Sequence, residues 1–433
     1  MKKAAVIIGI YFAACLSANA IGFDDEAPVA RAYLDELNLK LDVIESQMAQ
    51  ITLAADLAAR SLTEGSGFAV RGDESLASEL SLRPGAMMGY NGSMGEPGDV
   101  ILYCLGMLNT YQNQTSEQLL TRQIAEATSL KEQGSVIIGI GSFAQLGHYQ
   151  LLDEAQGACH LLLNNTAPAS DYLLQNDRYP FALPMATILN ATLAWTWECE
   201  LFAACTRLSE VPIVHESFEN DTRRERWLRY GSQKFHHDMW LESIPTGTLG
   251  GHYLEQLRNL LLDLGTASWK QIAQTASRAS NTLIDGDRVF IRAGGRYVPY
   301  HIDGQLPSDP DLFISLHHDG SDPNLPAPQT GDFVIAIGNN EPAGSDWWGE
   351  PELLRQASRG VAWIINAYNT RPADLEENEL LVDLWVPVGD CLVKVHNYDT
   401  RIGPADSFAA ETVLWLITAQ VYSDLVSWQA LAR

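Results

Sequence analysis

The sequence predicts an α/β fold made of two similar domains, each with a parallel sheet. The first observation is an internal repeat: the segment from Tyr33 reads YLDELNLKLDVIESQ, and the segment from Tyr253 reads YLEQLRNLLLDLG. The strand-like segments GDVILYCLG and GDFVIAIGNN also recur, and the offset of roughly 220 residues is domain-sized. Two similar domains in one chain indicate a built-in pseudo-dimer, with a site near the seam between the copies.

The second observation is the alternation of short apolar runs with polar helical segments, which is typical of buried parallel strands and crossover helices. In the first copy a helix is predicted over residues 24–63 from apolar residues at helical spacing. Ser75 and Thr187 are candidate N-caps of later helices, and the last helix is predicted over Ala186–Leu208. The predicted strands are Phe68–Arg71, Val100–Leu105, Val136–Ile140 and His160–Leu163.

The second copy repeats this plan after a connecting segment, residues 209–251, that is charged, rich in arginine and then aromatic. Two loop-rich insertions interrupt it, one from His317 and one from Asn369. Its predicted strands are Val289–Arg292, Leu312–Leu316, Phe333–Ile337, Ala362–Asn366 and Cys391–Val395. The alternation predicts a three-layer α/β/α sandwich in each copy, with domains at residues 21–208 and 252–433.

Residues 1–20 have the pattern of a secretory signal peptide. Lys2 and Lys3 are basic, the following apolar run is too short to span a bilayer, and residues 18–20 form a small-x-small cleavage motif. We therefore expect export to the periplasm or the cell exterior. The alternative is a lipid anchor at Cys15, because the residues before it resemble a lipoprotein box. No later segment is apolar enough to predict a membrane span.

The composition limits the partners and cofactors. The net charge is -26, from 28 basic and 54 acidic residues, and such a field repels nucleic acid and anionic lipid. No CxxC motif occurs, which argues against a zinc ribbon or a thioredoxin-type site. His236-His237-Asp238 and His317-His318-Asp319 lack ligand spacing, because adjacent side chains point in different directions. We therefore predict neither a metal nor a cofactor.

Three segments resemble the SIS (sugar isomerase) family. Residues 68–80, FAVRGDESLASEL, resemble its first strand and the G-x-x-S turn into a helix. Residues 331–368 resemble its second strand, ligand loop and third strand, and residues 403–416, GPADSFAAETVLWL, resemble the start of its last helix. The resemblance covers most of residues 30–208 and 252–430 and implies a tandem SIS protein, like the isomerase half of glucosamine-6-phosphate synthase.

The resemblance also implies a ligand site at helix N-termini, where hydroxyl and backbone N–H groups hold a phosphate. Ser75 matches the serine of the family's first loop, whereas the second copy reads RAGGRYV there, with no hydroxyl before Tyr297. The family's S-x-S-G-x-T loop is not intact in either copy, so the phosphosugar signature is degenerate. The side chains of these loops that can still contact a ligand are Asn109, Thr110, Asn339, Asn340 and Ser345.

Three further side chains are ligand candidates because of their chemistry. Trp347 and Trp348 lie in the predicted ligand loop of the second copy, where indole rings can stack on a sugar; the alternative is a plug against the neighbouring domain. Arg292 adjoins the first loop of that copy and suits a phosphate or carboxylate, or else a buried ion pair. No motif identifies a catalytic glutamate.

These observations predict an exported protein that binds a sugar or sugar-phosphate derivative, with or without catalysis. One alternative is an aldose–ketose isomerase that uses a carboxylate base. The other is a structural or interaction protein that has kept the fold and lost the ligand site. The expected partner is a small sugar derivative, and the sequence is compatible with a homo-oligomer.

Overall fold

The protein contains two parallel sheets, which confirms the predicted α/β class. A computed structural model describes residues 27–81, 83–89, 96–106, 116–169, 185–217, 223–231, 233–293, 312–316, 327–338, 354–355, 357, 359–369 and 375–431. The predicted signal peptide and Cys15 lie outside these residues, and the predicted domain boundaries stay predictions.

The first sheet has the order β1-β2-β3-β4, with every neighbouring pair parallel. The helix predicted over residues 24–63 is two helices, because the chain leaves helical geometry at Gln47. The strands of the first sheet are β1 (Phe68–Arg71), β2 (Val100–Cys104), β3 (Val136–Gly141) and β4 (Leu161–Asn164). Its helices are α1 (Pro28–Ser46), α2 (Met48–Thr63), α3 (Glu74–Leu80), α4 (Ser116–Glu132), α5 (Phe143–His148), α6 (Leu152–Ala158) and α7 (Ala186–Arg207).

Apolar side chains cover both faces of this sheet, as buried parallel strands require. Alternate residues of a strand point to opposite faces, so Val100 and Leu102 join the core with α2 and α7. Ile101 and Tyr103 join a second core with α4, α5 and α6. The first copy is therefore the predicted sandwich of helices, sheet and helices.

The second sheet has the order β11-β10-β9-β7-β8, again entirely parallel. The order β1-β2-β3-β4 recurs as β7-β9-β10-β11, with β8 added beside β7. Its strands are β7 (Val289–Ala293), β8 (Ile314–Leu316), β9 (Phe333–Ile337), β10 (Val361–Ile365) and β11 (Leu380–Asp383). The helices are α9 (Thr248–Thr266), α10 (Trp269–Ile284) and α11 (Asp406–Leu431), and a 3-10 helix covers Ala367–Asn369.

One strand of this copy was not predicted and one was misassigned. Strand β11 was not predicted, because its LLVD is short and follows the polar run of the insertion from Asn369. The run Cys391–Val395 is not a sheet strand: β12 (Cys391–Lys394) pairs antiparallel with β13 (Arg401–Pro404) in a hairpin. The connecting segment contributes β5 (Val211–Pro212), α8 (Arg223–Tyr230) and β6 (Phe235–His236), and β5 pairs with β6.

The two copies exchange their first helices. Helix α1 packs on α11, the last helix of the second copy, and α9 packs on α7, the last helix of the first copy. On α1, Arg31 donates to the carbonyl oxygen of Gly265 at 2.8 Å and lies 3.8 Å above the ring of Trp269. The inner faces of both sheets consequently share one apolar core, which makes the copies interdependent for stability.

The described part of the chain contains five cysteines, all buried and none in a disulfide. Cys104 and Cys391 lie in strands and pack as small apolar side chains. No helix among the described residues has both the length and the apolar character needed to cross a bilayer.

Candidate functional site

The loop after β1, residues 72–75, carries the first polar site. Asp73 is the N-cap of α3, and its Oδ1 accepts hydrogen bonds from the backbone N–H of Ser75 at 2.9 Å and from the Ser75 hydroxyl at 2.6 Å. The cap that Ser75 was a candidate for is thus supplied by Asp73, and Ser75 lies buried in the first helical turn. The second oxygen, Oδ2, is buried without a hydrogen-bond partner in the described structure.

Burial raises the pKa of Asp73, and hydrogen bonds from Ser75 and from the backbone N–H of Leu76 oppose that rise. The loop is held tightly against the end of β2. A Cβ atom at Gly72, which has a φ of +87°, would lie 1.9 Å from the carbonyl oxygen of Cys104. Gln123 donates to the carbonyl oxygen of Gly72 at 2.8 Å and accepts from the N–H of Gly106 at 2.9 Å. Asp73 is therefore fixed in place at the carboxyl edge of the first sheet.

A second serine, Ser142, follows β3 at the same edge and is a useful contrast. Its hydroxyl accepts from the N–H of Gln145 at 3.1 Å and donates to the carbonyl oxygen of Ala167 at 2.6 Å. Ser142 is the N-cap of α5, and both its donor and an acceptor site are used within the protein. It has the ordinary capping role that sequence patterns assign to such a serine.

The seam between the copies is filled by four buried charged side chains and one serine, which we call the seam cluster: Glu79, Arg83, Asp390, Asp406 and Ser407. Arg83 Nη1 donates to Asp406 Oδ2 at 3.1 Å, and Arg83 Nη2 lies 3.1 Å from Asp390 Oδ2 and 3.5 Å from Glu79 Oε1. Burial lowers the pKa of Arg83, but attraction to Glu79 and Asp390 outweighs it and leaves that pKa above its ordinary value. The guanidinium of Arg83 thus contacts Glu79 of the first copy as well as Asp390 and Asp406 of the second copy.

The neighbours of the seam cluster form further hydrogen bonds with it, although Arg83 Nε is buried without a hydrogen-bond partner among the described residues. Glu79 accepts from the indole N–H of Trp195 at 3.1 Å and from the hydroxyl of Ser407 at 2.9 Å. Asp390 Oδ1 accepts from the N–H of Asp406 at 2.9 Å, at the start of α11. Thr187, a candidate cap by sequence, lies inside α7, whose N-cap is Met185, without a side-chain hydrogen bond. Ser407 lies inside α11.

Glu198, on the apolar helix α7, lies next to this seam and is 4% exposed. Its Oε1 accepts from the N–H of Met87 at 2.8 Å, and its Oε2 has no partner in the described part of the chain. Burial raises the pKa of Glu198 to about 8, against the opposing effect of that hydrogen bond. The gap that Glu198 lines with Gly85, Cys199 and Gly403 leaves no room for a water molecule. Glu198 can hold a proton at neutral pH, but no substrate reaches it there.

Two of the predicted ligand residues lie in the described structure. Ser75 follows the first sheet, and Arg292 lies half-buried in β7, where Nη1 donates to the carbonyl oxygen of Leu316 at 3.4 Å. The others lie outside the described residues: Asn109, Thr110, Asn339, Asn340, Ser345, Trp347 and Trp348. No group of three or more His, Cys, Asp or Glu side chains within the described ranges is arranged to hold a metal ion.

Sequence reasoning missed Asp73 and the whole seam cluster. For Glu198 a signal existed: two glutamates stand in the otherwise apolar run LAWTWECEL of α7, and charge in a buried helix requires a partner or a proton. Arg83 carried no such signal, because it follows α3 in a loop and its acidic partners Asp390 and Asp406 are more than 300 residues away.

Comparisons with known proteins give structural likenesses only. No protein-family model and no curated protein matches the sequence. The chain is similar to a protein provisionally described as a phosphosugar isomerase from Silicibacter pomeroyi DSS-3, with 10% identity, a TM-score of 0.45, and 93% of this chain and 98% of that chain covered. It is similar to a protein provisionally described as a sugar binding protein from Salmonella typhimurium LT2, with 11% identity, a TM-score of 0.44, and coverage of 89% and 99%.

A third similar structure is the C-terminal domain of glucosamine-fructose-6-phosphate aminotransferase from Francisella tularensis, with 9% identity, a TM-score of 0.42, and coverage of 89% and 94%.

Proposed function

We propose that the chain binds an unphosphorylated sugar derivative at the carboxyl edge of the first sheet, through Asp73 and Ser75. The observation that carries this proposal is the buried Oδ2 of Asp73, which has no hydrogen-bond partner among the described residues. A buried acceptor without a donor is costly, and a ligand hydroxyl supplies the missing donor. Ligands of parallel α/β sheets bind at this edge, beyond the ends of the strands.

The hydrogen-bond polarity of the loop favours a hydroxyl over a phosphate. The Ser75 proton is committed to Asp73 at 2.6 Å, so Ser75 offers a ligand only its lone pairs. The carboxylate of Asp73 presents negative charge at the same point, in a chain whose net charge is -26. Adjacent acceptors match the two donors of a sugar diol, whereas a phosphate has oxygens that these groups repel.

The test is the thermal unfolding of the full chain with neutral sugars, amino sugars, uronic acids and sugar phosphates, since a ligand that binds the folded state raises the midpoint. Asp73→Asn keeps the acceptor for Ser75 and places a donor where Oδ2 stood, so we expect the sugar-induced rise to disappear. Ser75→Ala should reduce it. Ser142→Ala is the matched control, because it removes a capping hydroxyl at the same edge and should leave the rise intact.

Each result of that panel changes the proposal in a defined way. A rise with phosphorylated sugars alone would contradict it and favour a phosphosugar site. A rise that survives Asp73→Asn would move the sugar to another place on the chain. No rise with any compound would favour the structural or interaction role.

That structural role is the second candidate function, and the filled seam favours it. Arg83 occupies the space between the copies with its three carboxylate partners, so this part of the seam has no open cleft. The isomerase alternative receives less support, because Glu198 has a pKa suited to a base but faces a gap too narrow for water. An isomerase assay with sugars that raise the midpoint tests this order.

Export is a separate proposal, which rests on the pattern of residues 1–20. The test is to express the full chain in a bacterial host, purify it from the cell envelope fractions and measure its intact mass. A mass that corresponds to a chain starting at about Ile21 supports soluble export. A mass that corresponds to a lipid-modified Cys15 as the first residue supports the anchor, and a mass that corresponds to a chain starting at Met1 contradicts both.

A further inference from the structure

A polar cavity of about 270 Å³ lies between the connecting segment and the β12–β13 hairpin. Ser217 contributes one wall, and the hairpin and its turn contribute Lys394, Tyr398, Asp399, Thr400 and Arg401. We call it the hairpin cavity. It does not include Asp73 or Ser75, and it belongs to neither parallel sheet.

The cavity carries two positive charges that face each other. Lys394 and Arg401 are cross-strand partners in the antiparallel pair β12–β13, and both side chains are exposed. Like charges directly opposite across two strands destabilise the pair. Neither side chain forms an ion pair with a carboxylate within the described ranges, although acidic residues outnumber basic ones by 54 to 28. Lys394 and Arg401 repel each other in a chain that is rich in acidic residues. An anionic ligand between them would offset this repulsion.

The acidic residue of the cavity, Asp399, forms an ion pair with Arg226. Arg226 Nη1 donates to Asp399 Oδ2 at 2.6 Å, and the same guanidinium donates to the Tyr398 hydroxyl at 3.0 Å and the carbonyl oxygen of Val214 at 2.9 Å. Arg226 is buried, so this pairing is built into the wall. It fixes the turn to the connecting segment and leaves the charge of Lys394 and Arg401 to act on the cavity.

We propose that the hairpin cavity binds the anionic group, carboxylate or phosphate, of a molecule no larger than a sugar acid or sugar phosphate. The volume of the cavity lies just below the usual range of ligand pockets, which is about 300–1,000 Å³. Arg401 Nη1 donates to the carbonyl oxygen of Leu392 at 3.3 Å, and the remaining N–H groups of its planar guanidinium suit an anion. Lys394 supplies a compact charge, and the Thr400 hydroxyl supplies a further donor. This site is independent of the proposed sugar site, because its basic side chains attract an anion, whereas the carboxylate of Asp73 repels one.

Calorimetric titration of the full chain tests this proposal with inorganic phosphate, glucuronate and, as the neutral probe, glucose. We expect phosphate or glucuronate to bind with an affinity that falls as salt is added. Arg401→Gln and Lys394→Gln should each weaken that binding about tenfold, the effect of losing one charge-assisted hydrogen bond. Lys270→Gln is the matched control: this exposed lysine lies on α10, outside the cavity, and its loss should change nothing.

Phosphate binding without glucuronate binding identifies a phosphate site, and the reverse identifies a carboxylate site. The proposal is overturned if neither anion binds, or if Lys270→Gln weakens binding as much as Arg401→Gln. Asp73→Asn separates the two proposals, since it should abolish the sugar-induced rise in unfolding midpoint and leave anion binding unchanged. Unfolding midpoints of the cavity variants without ligand that equal or slightly exceed that of the native chain show that they fold.

Discussion

The seam cluster and the hairpin cavity each place basic side chains between two segments of the chain, but they use the charge in opposite ways. Arg83 is 5% exposed and contacts the carboxylates of Glu79, Asp390 and Asp406, so its charge stabilises the contact between the copies. Arg401 and Lys394 are exposed and face each other, so their charge remains available. Buried charge that is paired with acids holds a fold together, whereas exposed charge without an acidic partner can recognise a ligand.

The largest expected effect comes from breaking the seam cluster at its centre. Arg83→Met leaves the carboxylates of Glu79, Asp390 and Asp406 buried together without their cation, so we expect a loss of about 3–5 kcal/mol in the free energy of unfolding. Urea unfolding at neutral pH measures it.

Arg258→Met is the matched control for this prediction. Arg258 also joins the copies, since it donates from α9 to Asp42 and Glu45 of α1 at 2.9 and 2.6 Å, but those two acids are largely exposed. Exposed pairs contribute at most about 1 kcal/mol, so the control should lose far less. Equal losses in the two variants would show that burial does not set the strength of the seam cluster.

The next effect concerns Glu198 and depends on pH. Its pKa rises from an ordinary value of 4.5 to about 8 on folding, so between these values the folded state holds a proton that the unfolded state has released. Stability therefore falls as pH rises through this window, by up to about 1.4 kcal/mol per unit. Glu198→Gln has no such proton, and its stability relative to the native chain should rise by about 4 kcal/mol from pH 5 to pH 9.

Glu200→Gln provides the contrast on the same helix. Glu200 accepts from the N–H groups of Gly247 and Gly250, each at 2.8 Å, so an amide places a donor against a donor. We expect this variant to lose about 1–3 kcal/mol at pH 5 as well as at pH 9. A pH-independent difference for Glu198→Gln would mean that Glu198 is ionised in the folded protein.

The contrast between local pattern and distant contact also explains what could be predicted. Eight of the nine parallel strands were predicted to within two residues at each end, because apolar runs bounded by glycine mark buried strands wherever they pack. The ninth, β11, is short and follows a polar run, so its partner β10 determines it more than its own sequence does. Cys391–Val395 has the same local pattern as a sheet strand, yet β13 captures it in a hairpin.

The sites were harder to predict for the same reason. Ser75 was found because the local G-x-x-S pattern survives, but its partner Asp73, two residues earlier, carries the unpaired oxygen. The seam cluster joins residues about 320 positions apart, and no local pattern encodes that contact. Charge in the apolar helix α7 could have identified Glu198, although only packing shows that Glu198 lacks a full set of partners.

Two glycines allow the tightness of packing at the seam to be compared with that at the hairpin cavity, because Gly403 lines the gap beside Glu198 and Gly389 lines the hairpin cavity. Gly403 and Gly389 both have positive φ angles, +70° and +87°, so alanine strains the backbone at either position. A Cβ atom at Gly403 would lie 2.7 Å from Tyr253 and 3.1 Å from the sulfur of Cys199, whereas at Gly389 the nearest atom, in Ser217, is 3.8 Å away. We expect Gly403→Ala to cost about 2 kcal/mol more than Gly389→Ala. Equal thermal midpoints would mean that the seam relaxes around the added methyl group.

The smallest expected effect has the opposite sign. Lys394→Gln removes one member of the facing pair, so it should raise the free energy of unfolding by a few tenths of a kcal/mol, measured in urea at low salt. The gain should shrink as salt is added, because salt screens exposed charges. Arg401→Gln should behave alike, and the double variant should gain no more than either single change, since one substitution already removes the repulsion. A loss above about 1 kcal/mol would mean that the pair supports the hairpin, and the cost that argues for a ligand would vanish.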